Sequence, residues 1–279
     1  MNQKIVVAGL GLIGGSLAKA FRKYSDCRVT GIDSDPGVID AALQCGAIRR
    51  QATPEDLNAA DLVFLCLYPQ ADIDFLKEHA SALRPGCIVT DVCGVKSFLS
   101  PRLSEIAEKH GLIYIGGHPM AGKEKGGFAN SDADLFSGAS YLLVPCGAPR
   151  GAVDLMTAVA VELGFGGTVV TTPEEHDREI AFTSQLPHAL ACAYVKSPRC
   201  PGHAGFSAGS YRDVSRVASV NESMWAELFL DNREALTEEL DTLMGNLREI
   251  RDAVGSNDAE ALRCLLREGR LIKERLGEA

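Results

Sequence analysis

Long apolar runs, clusters of basic residues and paired cysteines are all missing from this sequence of 279 residues. Apolar stretches such as Leu62–Leu67 are far shorter than the roughly 20 residues that a membrane-spanning helix needs, so we expect no membrane span. Lysine and arginine number 28 against 37 acidic residues, which gives a net charge of −9. Because no basic run is present, we expect no nucleic-acid partner. These absences favour a soluble protein.

The nine cysteines are scattered along the chain, and none forms a CxxC pair. This pattern is typical of a protein in the reducing cytosol. The first residues read as a strand entering a glycine turn rather than as a signal peptide, so we expect a cytoplasmic location. Cys200 and His203 have a spacing that could serve a metal, but no second pair completes a tetrahedral site. We therefore predict no metal.

In the first half of the chain, short apolar runs alternate with amphipathic segments, which is typical of parallel strands joined by crossover helices. The predicted strands are Lys4–Ala8, Arg28–Asp33, Asp61–Leu67, Cys87–Val92, Leu112–Gly116, Tyr141–Val144 and Thr168–Val170. Pro173 then opens a region with helical periodicity only. We predict an α/β domain with a mostly parallel sheet over residues 1–172 and an all-α domain over residues 173–279.

Apolar residues in the second domain recur with steps of four and three, as in a heptad repeat. They are Leu236, Leu240, Leu243, Leu247, Ile250 and Val254. One stripe of this helix must be buried. Packing within a helical domain explains the stripe, and so does additional packing on a second subunit.

A GxGxxG motif directly follows the first predicted strand and opens a helix. In it, Gly9 permits the tight turn, Gly11 lets the backbone approach a pyrophosphate, and Gly14 allows close packing of helix and strand. The phosphates would lie at the helix N-terminus, by Leu12 and Ile13. This context predicts a Rossmann domain that binds a dinucleotide.

Asp33 ends the second predicted strand, where its carboxylate can accept hydrogen bonds from the adenosine ribose hydroxyls. The same charge repels a 2′-phosphate, and no arginine follows in Asp33-Ser34-Asp35. We therefore expect NAD rather than NADP.

Two histidine motifs lie far apart in the sequence, GGHPMAG around His118 and SQLPHALA around His188. His118 comes just past a predicted strand whose carboxyl end faces the cofactor crevice, and an imidazole there can take up a proton at neutral pH. His188 follows Pro187, which must bend its helix. We expect the histidines His79, His110 and His176 to be structural.

Together with the segment Gly209–Ser219, GSYRDVSRVAS, these motifs resemble the prephenate dehydrogenase family over nearly the whole chain. Asp91–Lys96, Glu175–Arg178 and Trp225 match further family positions. The resemblance implies a Rossmann domain followed by a helical dimerisation domain, with the substrate held between them. It also implies a cytoplasmic homodimer that oxidises prephenate, or the related arogenate, with NAD in tyrosine biosynthesis.

The resemblance assigns roles to individual residues. His118 would be the base that takes the proton of the substrate hydroxyl, and Arg216 would grip the ring carboxylate through two parallel hydrogen bonds. We expect these two groups to face each other across a cleft. Further substrate contacts are expected from His188, Ser184, Arg212, Asp213 and Lys123, with Ser210 and Asp213 forming a capping box at the start of the arginine helix.

Two positions depart from the family pattern. Gly94 stands where the family often carries a serine that holds the substrate hydroxyl, so that a water, Lys123 or Glu124 would have to substitute for it. Gln185 stands where a histidine is frequent. The sequence leaves open the choice between prephenate and arogenate, the tolerance of NADP and feedback by tyrosine.

Two other readings compete with this one. A dehydrogenase of similar build acting on a β-hydroxyacid or an imine usually relies on a catalytic lysine, and Lys196 is the only lysine near the right region. A non-enzymatic redox sensor that binds NAD would need a reading head, which the acidic charge and the histidine motifs argue against.

Overall fold

The structure, a computed structural model, describes residues 2–277. The chain forms two compact units, one that ends at Asn232 and one that begins at Arg233. Seven strands form one sheet: β1 (Lys4–Ala8), β2 (Arg28–Ile32), β3 (Leu62–Leu65), β4 (Ile88–Asp91), β5 (Ile113–Pro119), β6 (Ser140–Val144) and β7 (Gly167–Val170).

Twelve α-helices complete the described chain. They are α1 (Leu12–Tyr24), α2 (Pro36–Gln44), α3 (Pro54–Ala59), α4 (Pro69–His79), α5 (Leu99–Lys109), α6 (Arg150–Glu162), α7 (Pro173–Ile180), α8 (Leu186–Tyr194), α9 (Gly209–Ser215), α10 (Glu222–Asp231), α11 (Arg233–Gly255) and α12 (Ala259–Arg275). Within residues 2–277, no helix is both long and apolar enough to cross a bilayer.

The sheet has the strand order β2-β1-β3-β4-β5-β6-β7, and all neighbouring pairs are parallel except β5 and β6. Alternate residues of β1 enter two different hydrophobic cores, because successive side chains of a strand point to opposite faces. Ile5 and Val7 pack with Phe21 of α1, whereas Val6 and Ala8 pack with Leu76 of α4. The predicted fold class, an α/β domain with a mostly parallel sheet followed by helices alone, is confirmed.

One strand differs from its prediction in a way that matters for the site. Strand β5 runs to Pro119, three residues past the predicted end at Gly116, and pairs antiparallel with β6. His118 therefore lies within the strand, opposite Leu142, and the expectation that it follows the strand is wrong. Because β5 pairs with β6 at this position, the backbone that carries the imidazole is held more firmly than it would be in a loop.

The second unit contains α11 and α12. The predicted heptad stripe lies on α11, and two of its members, Leu247 and Val254, are 49% and 60% exposed. The boundary predicted near Thr172 falls inside the first unit, at the N-cap of α7.

Candidate active site

The turn between β1 and α1 requires glycine at two positions. Gly9 has φ +87°, and a Cβ there would lie 2.5 Å from the carbonyl oxygen of Cys66. A Cβ on Gly14 would lie 1.9 Å from the carbonyl oxygen of Gly9. No heavy atom of the described chain outside the immediate neighbours lies within 4 Å of a Cβ built on Gly11. The turn is therefore closely packed at Gly9 and Gly14, whereas the space beside Gly11 is open to the pyrophosphate of a dinucleotide.

Helix α1 begins at Leu12 with no side-chain cap and no acidic residue in its first turn. Its first N–H groups, including that of Ile13, are left for an anion. Asp33 follows β2, and its Oδ2 accepts a hydrogen bond from the Leu10 N–H at 2.8 Å. The carboxylate thus lies directly beside the glycine turn, and the residues fit a dinucleotide.

His118 is the first member of a buried chain of hydrogen bonds. Its Nδ1 lies 3.0 Å from Nε2 of His176, and Nδ1 of His176 lies 2.7 Å from Oδ1 of Asp177. Asp177 in turn accepts backbone N–H bonds from Lys96 at 2.8 Å and from Ser97 at 2.7 Å. Helix α7 is therefore joined to the loop after β4 and, through the imidazoles, to β5.

A second buried network lies under the same loop. Lys96 is fully buried, and its Nζ lies 2.7 Å from Oδ1 of Asp91 and 2.6 Å from the carbonyl oxygen of Cys93. Asp91 also accepts from the Tyr114 hydroxyl at 2.6 Å. Because every charge in this pair has partners, the pair is tolerated in the core and holds the loop beside His118.

Burial sets the protonation of the two imidazoles. It holds the pKa of His118 well below the ordinary histidine value, and the neighbouring His176 and Lys96 add to the effect. Burial also lowers the pKa of His176, although the hydrogen bond to Asp177 opposes it. The pKa of Asp177 is itself low in spite of burial, since His176 and Ser97 donate to its carboxylate. Both imidazoles are neutral at neutral pH.

Space is left next to His118. A Cβ on Gly94 would lie 3.7 Å from both Cε1 and Nε2 of His118, which is ordinary van der Waals distance. Lys123 and Glu124, the two side chains that could substitute for the serine, both have other partners. Lys123 donates to Asn130 and pairs with Asp132 within its own loop, at 3.1 and 3.3 Å.

The other histidine motif lies on a distorted helix. Between α7 and α8, residues Ala181–Gln185 form a π-helical segment that ends two residues before Pro187. Proline cannot donate to the carbonyl four residues earlier, and its ring crowds that carbonyl, so the wider turn relieves the strain. The sequence predicts a bend at Pro187, and the structure shows a local widening of the turn before it.

His188 is held on two sides. Its Nδ1 lies 2.8 Å from the carbonyl oxygen of Ser184, and its ring stacks on Trp225 of α10 with centroids 3.9 Å apart. Burial lowers its pKa, and the charge of Arg216 adds a smaller effect in the same direction. The charge of Arg216 therefore reaches the imidazole of His188.

Arg216 follows α9, and its Nη1 lies 2.5 Å from Oε1 of Glu124. Both side chains are substantially exposed, 62% and 46%. Glu124 comes six residues after His118, so the ion pair connects the arginine segment to the histidine loop. Arg212 lies one turn earlier on α9 and is exposed.

The predicted capping box is wrong. Helix α9 begins at Gly209 with Ala208 as its N-cap, and no side chain caps it. Ser210 therefore lies inside the first turn rather than before it. Asp213 lies over the same turn, with Oδ2 3.9 Å from a Cβ built on Gly209.

Two buried contacts do not follow from the sequence motifs. His176, predicted to be structural, lies in hydrogen-bond contact with His118, and the adjacent acid in Glu175-His176-Asp177 is a signal for this arrangement. Gln185 is buried, donates to the carbonyl of Leu228 at 3.1 Å and accepts from Asn232 at 2.8 Å. It ties the π-helical segment to α10.

A mostly parallel sheet with a dinucleotide turn, and a histidine at the carboxyl edge of the same sheet, define a Rossmann-type dehydrogenase. Residues 17–171 match the family model for the prephenate dehydrogenase nucleotide-binding domain, and residues 172–268 match that for the prephenate dehydrogenase dimerization domain. The chain therefore belongs to the prephenate dehydrogenase family, and the resemblance inferred from its motifs is confirmed.

Similar proteins carry several related names. The chain is 33% identical to a cyclohexadienyl dehydrogenase of Zymomonas mobilis, over 92% of this chain and 90% of that protein. It superimposes on prephenate dehydrogenase of Aquifex aeolicus in complex with hydroxyphenyl propionate and NAD+, with TM-score 0.88, 26% identity and 99% of both chains covered. Synechocystis arogenate dehydrogenase gives TM-score 0.82 with 25% identity, over 98% of this chain and 99% of that one. The nucleotide-binding match and the NAD+ in the Aquifex structure agree with the predicted cofactor, NAD.

Proposed function

We propose that this chain catalyses the NAD-dependent oxidative decarboxylation of prephenate to 4-hydroxyphenylpyruvate, a step of tyrosine biosynthesis. Arogenate, which would give tyrosine directly, is the alternative substrate. The observation that carries the proposal is the ion pair of Arg216 with Glu124, six residues beyond His118. Because this pair is exposed, a substrate carboxylate can replace Glu124 on the guanidinium.

In the proposed reaction, Nε2 of His118 takes the proton from the hydroxyl at C4 of the substrate. NAD, when bound at the glycine turn, supplies the acceptor for the hydride from C4. Arg216 holds the ring carboxylate, whose carbon–carbon bond to the ring breaks as carbon dioxide leaves and the ring becomes aromatic. His188, stacked on Trp225, supplies a further polar contact beside Arg216.

Two finer points belong to the same proposal. The Asp33 carboxylate favours NAD over NADP, because it would repel a 2′-phosphate. We also propose a cytoplasmic homodimer. The dimer is supported by the match of residues 172–268 to a dimerization domain, and the location by nine cysteines without a CxxC pair. A sedimentation mass of one chain would contradict the dimer.

The test compares kcat/KM for prephenate and arogenate, each with NAD and NADP, in the wild type and in His118→Asn. A general base contributes about a hundred- to ten-thousand-fold, so the variant should lose that much turnover while it binds NAD with unchanged affinity. Unchanged turnover in the variant, or a wild type inactive on both substrates, would refute the proposal.

A further inference from the structure

His118, His176 and Asp177 form a chain of hydrogen bonds in which only one placement of the protons satisfies every contact. Asp177 lies at one end, and both of its carboxylate oxygens accept backbone N–H bonds, from Lys96 and from Ser97. An ionised carboxylate can only accept hydrogen bonds. The contact of 2.7 Å between Oδ1 of Asp177 and Nδ1 of His176 therefore requires a proton on Nδ1 of His176.

The next contact follows from the first. A neutral imidazole that carries its proton on Nδ1 is an acceptor at Nε2. The 3.0 Å contact between Nε2 of His176 and Nδ1 of His118 then requires a proton on Nδ1 of His118. Nε2 of His118 is left with its lone pair, on the side where Gly94 leaves space.

We propose that His176 and Asp177 are positioning residues that hold His118 in the tautomer with a proton on Nδ1, so that Nε2 is ready to accept a proton. The role of Nε2 as a base rests on the proposed function, whereas the tautomer itself does not. Free histidine favours the opposite tautomer, so the site has to impose this one. His176 is 1% exposed, so its side chain is held in place by the core. It lies 58 residues from His118 in the sequence and serves as a fixed anchor for the His118 ring.

The anchor also sets the orientation of the ring. His118 is carried by β5 and His176 by α7, and the Asp177 carboxylate locks α7 onto the backbone at Lys96 and Ser97. The lock uses both carboxylate oxygens, so the His176 ring cannot rotate without breaking a buried hydrogen bond. Loss of such a bond without replacement is costly.

The test uses two substitutions of one residue. His176→Leu removes the acceptor at a similar size, whereas His176→Gln keeps an amide oxygen that can accept from Nδ1 of His118. In the leucine variant we expect kcat to fall at least about tenfold, with KM and NAD affinity changed less than about twofold, because wrong tautomers impair a histidine base. The glutamine variant should recover most of the lost kcat. His110→Leu, at the C-cap of α5 and before the start of β5, is the matched control and should leave kcat unchanged.

The tautomer is measured directly by long-range ¹H–¹⁵N correlation spectra of protein with ¹⁵N-labelled histidine. The His118 signals are assigned by their loss in His118→Asn. We expect Nδ1 of His118 to have the shift of a protonated nitrogen and Nε2 that of an unprotonated one, with the pattern changed in His176→Leu. This readout does not depend on turnover, so it stands even if neither substrate is oxidised.

Two results would overturn the inference. One is a wild-type His118 that carries its proton on Nε2. The other is a glutamine variant that loses as much kcat as the leucine variant while retaining wild-type thermal stability. If the leucine variant does not fold, the wild-type spectrum and the glutamine variant still decide the question.

Discussion

Gly94 illustrates how much one residue decides at this site. The resemblance to the family predicts a serine at this position, and with glycine there no side chain extends from it toward the His118 ring. The distance of 3.7 Å from a Cβ to Nε2 of His118 means that a small side chain fits without moving the imidazole. Glu124 and Lys123 have partners elsewhere, so neither replaces the serine hydroxyl in this structure.

We predict that Gly94→Ser lowers KM for the substrate about fivefold, because one added neutral hydrogen bond is worth about 1 kcal/mol. The hydroxyl would reach the substrate oxygen that faces Nε2 of His118. Steady-state kinetics measure the change. Gly94→Ala is the matched control, since it adds the Cβ without the hydroxyl. An equal fall of KM in both variants would show that packing, not hydrogen bonding, is responsible.

Among the elements, the segment from α7 to α8 departs most from regular geometry. The π-helical turn places Gln185 toward α10 and Asn232, while one turn later His188 faces Trp225. A regular α-helix through the same residues would rotate one of these side chains away from its partners. Pro187 is the sequence feature that keeps the wide turn in place.

We predict that Pro187→Ala lowers kcat/KM at least about tenfold without lowering the melting temperature. Alanine restores the missing N–H and favours a regular helix, which displaces Gln185 and His188 while it removes the proline strain. Pro173→Ala is the control, because Pro173 stands in the first turn of α7, where it does no harm. A variant with full activity would show that the turn is maintained by packing alone.

The pH dependence of stability is a property of the whole molecule. Burial, followed by the charge of Asp91, raises the pKa of Asp72 to about 8, far above an ordinary aspartate. The folded protein therefore binds one more proton than the unfolded chain between about pH 4 and pH 8. Across that range this group makes the free energy of unfolding fall as pH rises, and the loss is complete above pH 8.

Asp72→Asn removes this titration. We therefore predict that the melting temperature of the variant increases relative to that of the wild type as pH rises. The gain from pH 5 to pH 9 should be about 8 °C. Thermal melts at both pH values measure it. Asp74→Asn, on the exposed side of the same helix, should show no such trend. A difference that does not change with pH would mean that Asp72 is already ionised in the folded protein.

Much of the fold could be predicted because its signals are local. The apolar runs of β1 to β7, the prolines at helix starts and the spacing of Gly9, Gly11 and Gly14 reflect interactions between residues close in sequence. The predicted end of β5 is too early, because the last residues of this strand are held by pairing with β6, which a propensity pattern does not reveal. The absent capping box at Ser210 is a similar case, since the exact start of a short helix depends on its surroundings.

The amino-acid sequence by itself determined the dinucleotide turn, the two histidine motifs and the family, because each is carried by residues a few positions apart. Only the tertiary structure decided which groups meet. His176 reaches His118 across 58 residues, and Glu124 reaches Arg216 across 92. Such contacts depend on how strands and helices pack in three dimensions, and neither the spacing nor the type of these residues specifies that packing. The proton on His118 is therefore assigned by the fold, although the histidine itself is visible in the sequence.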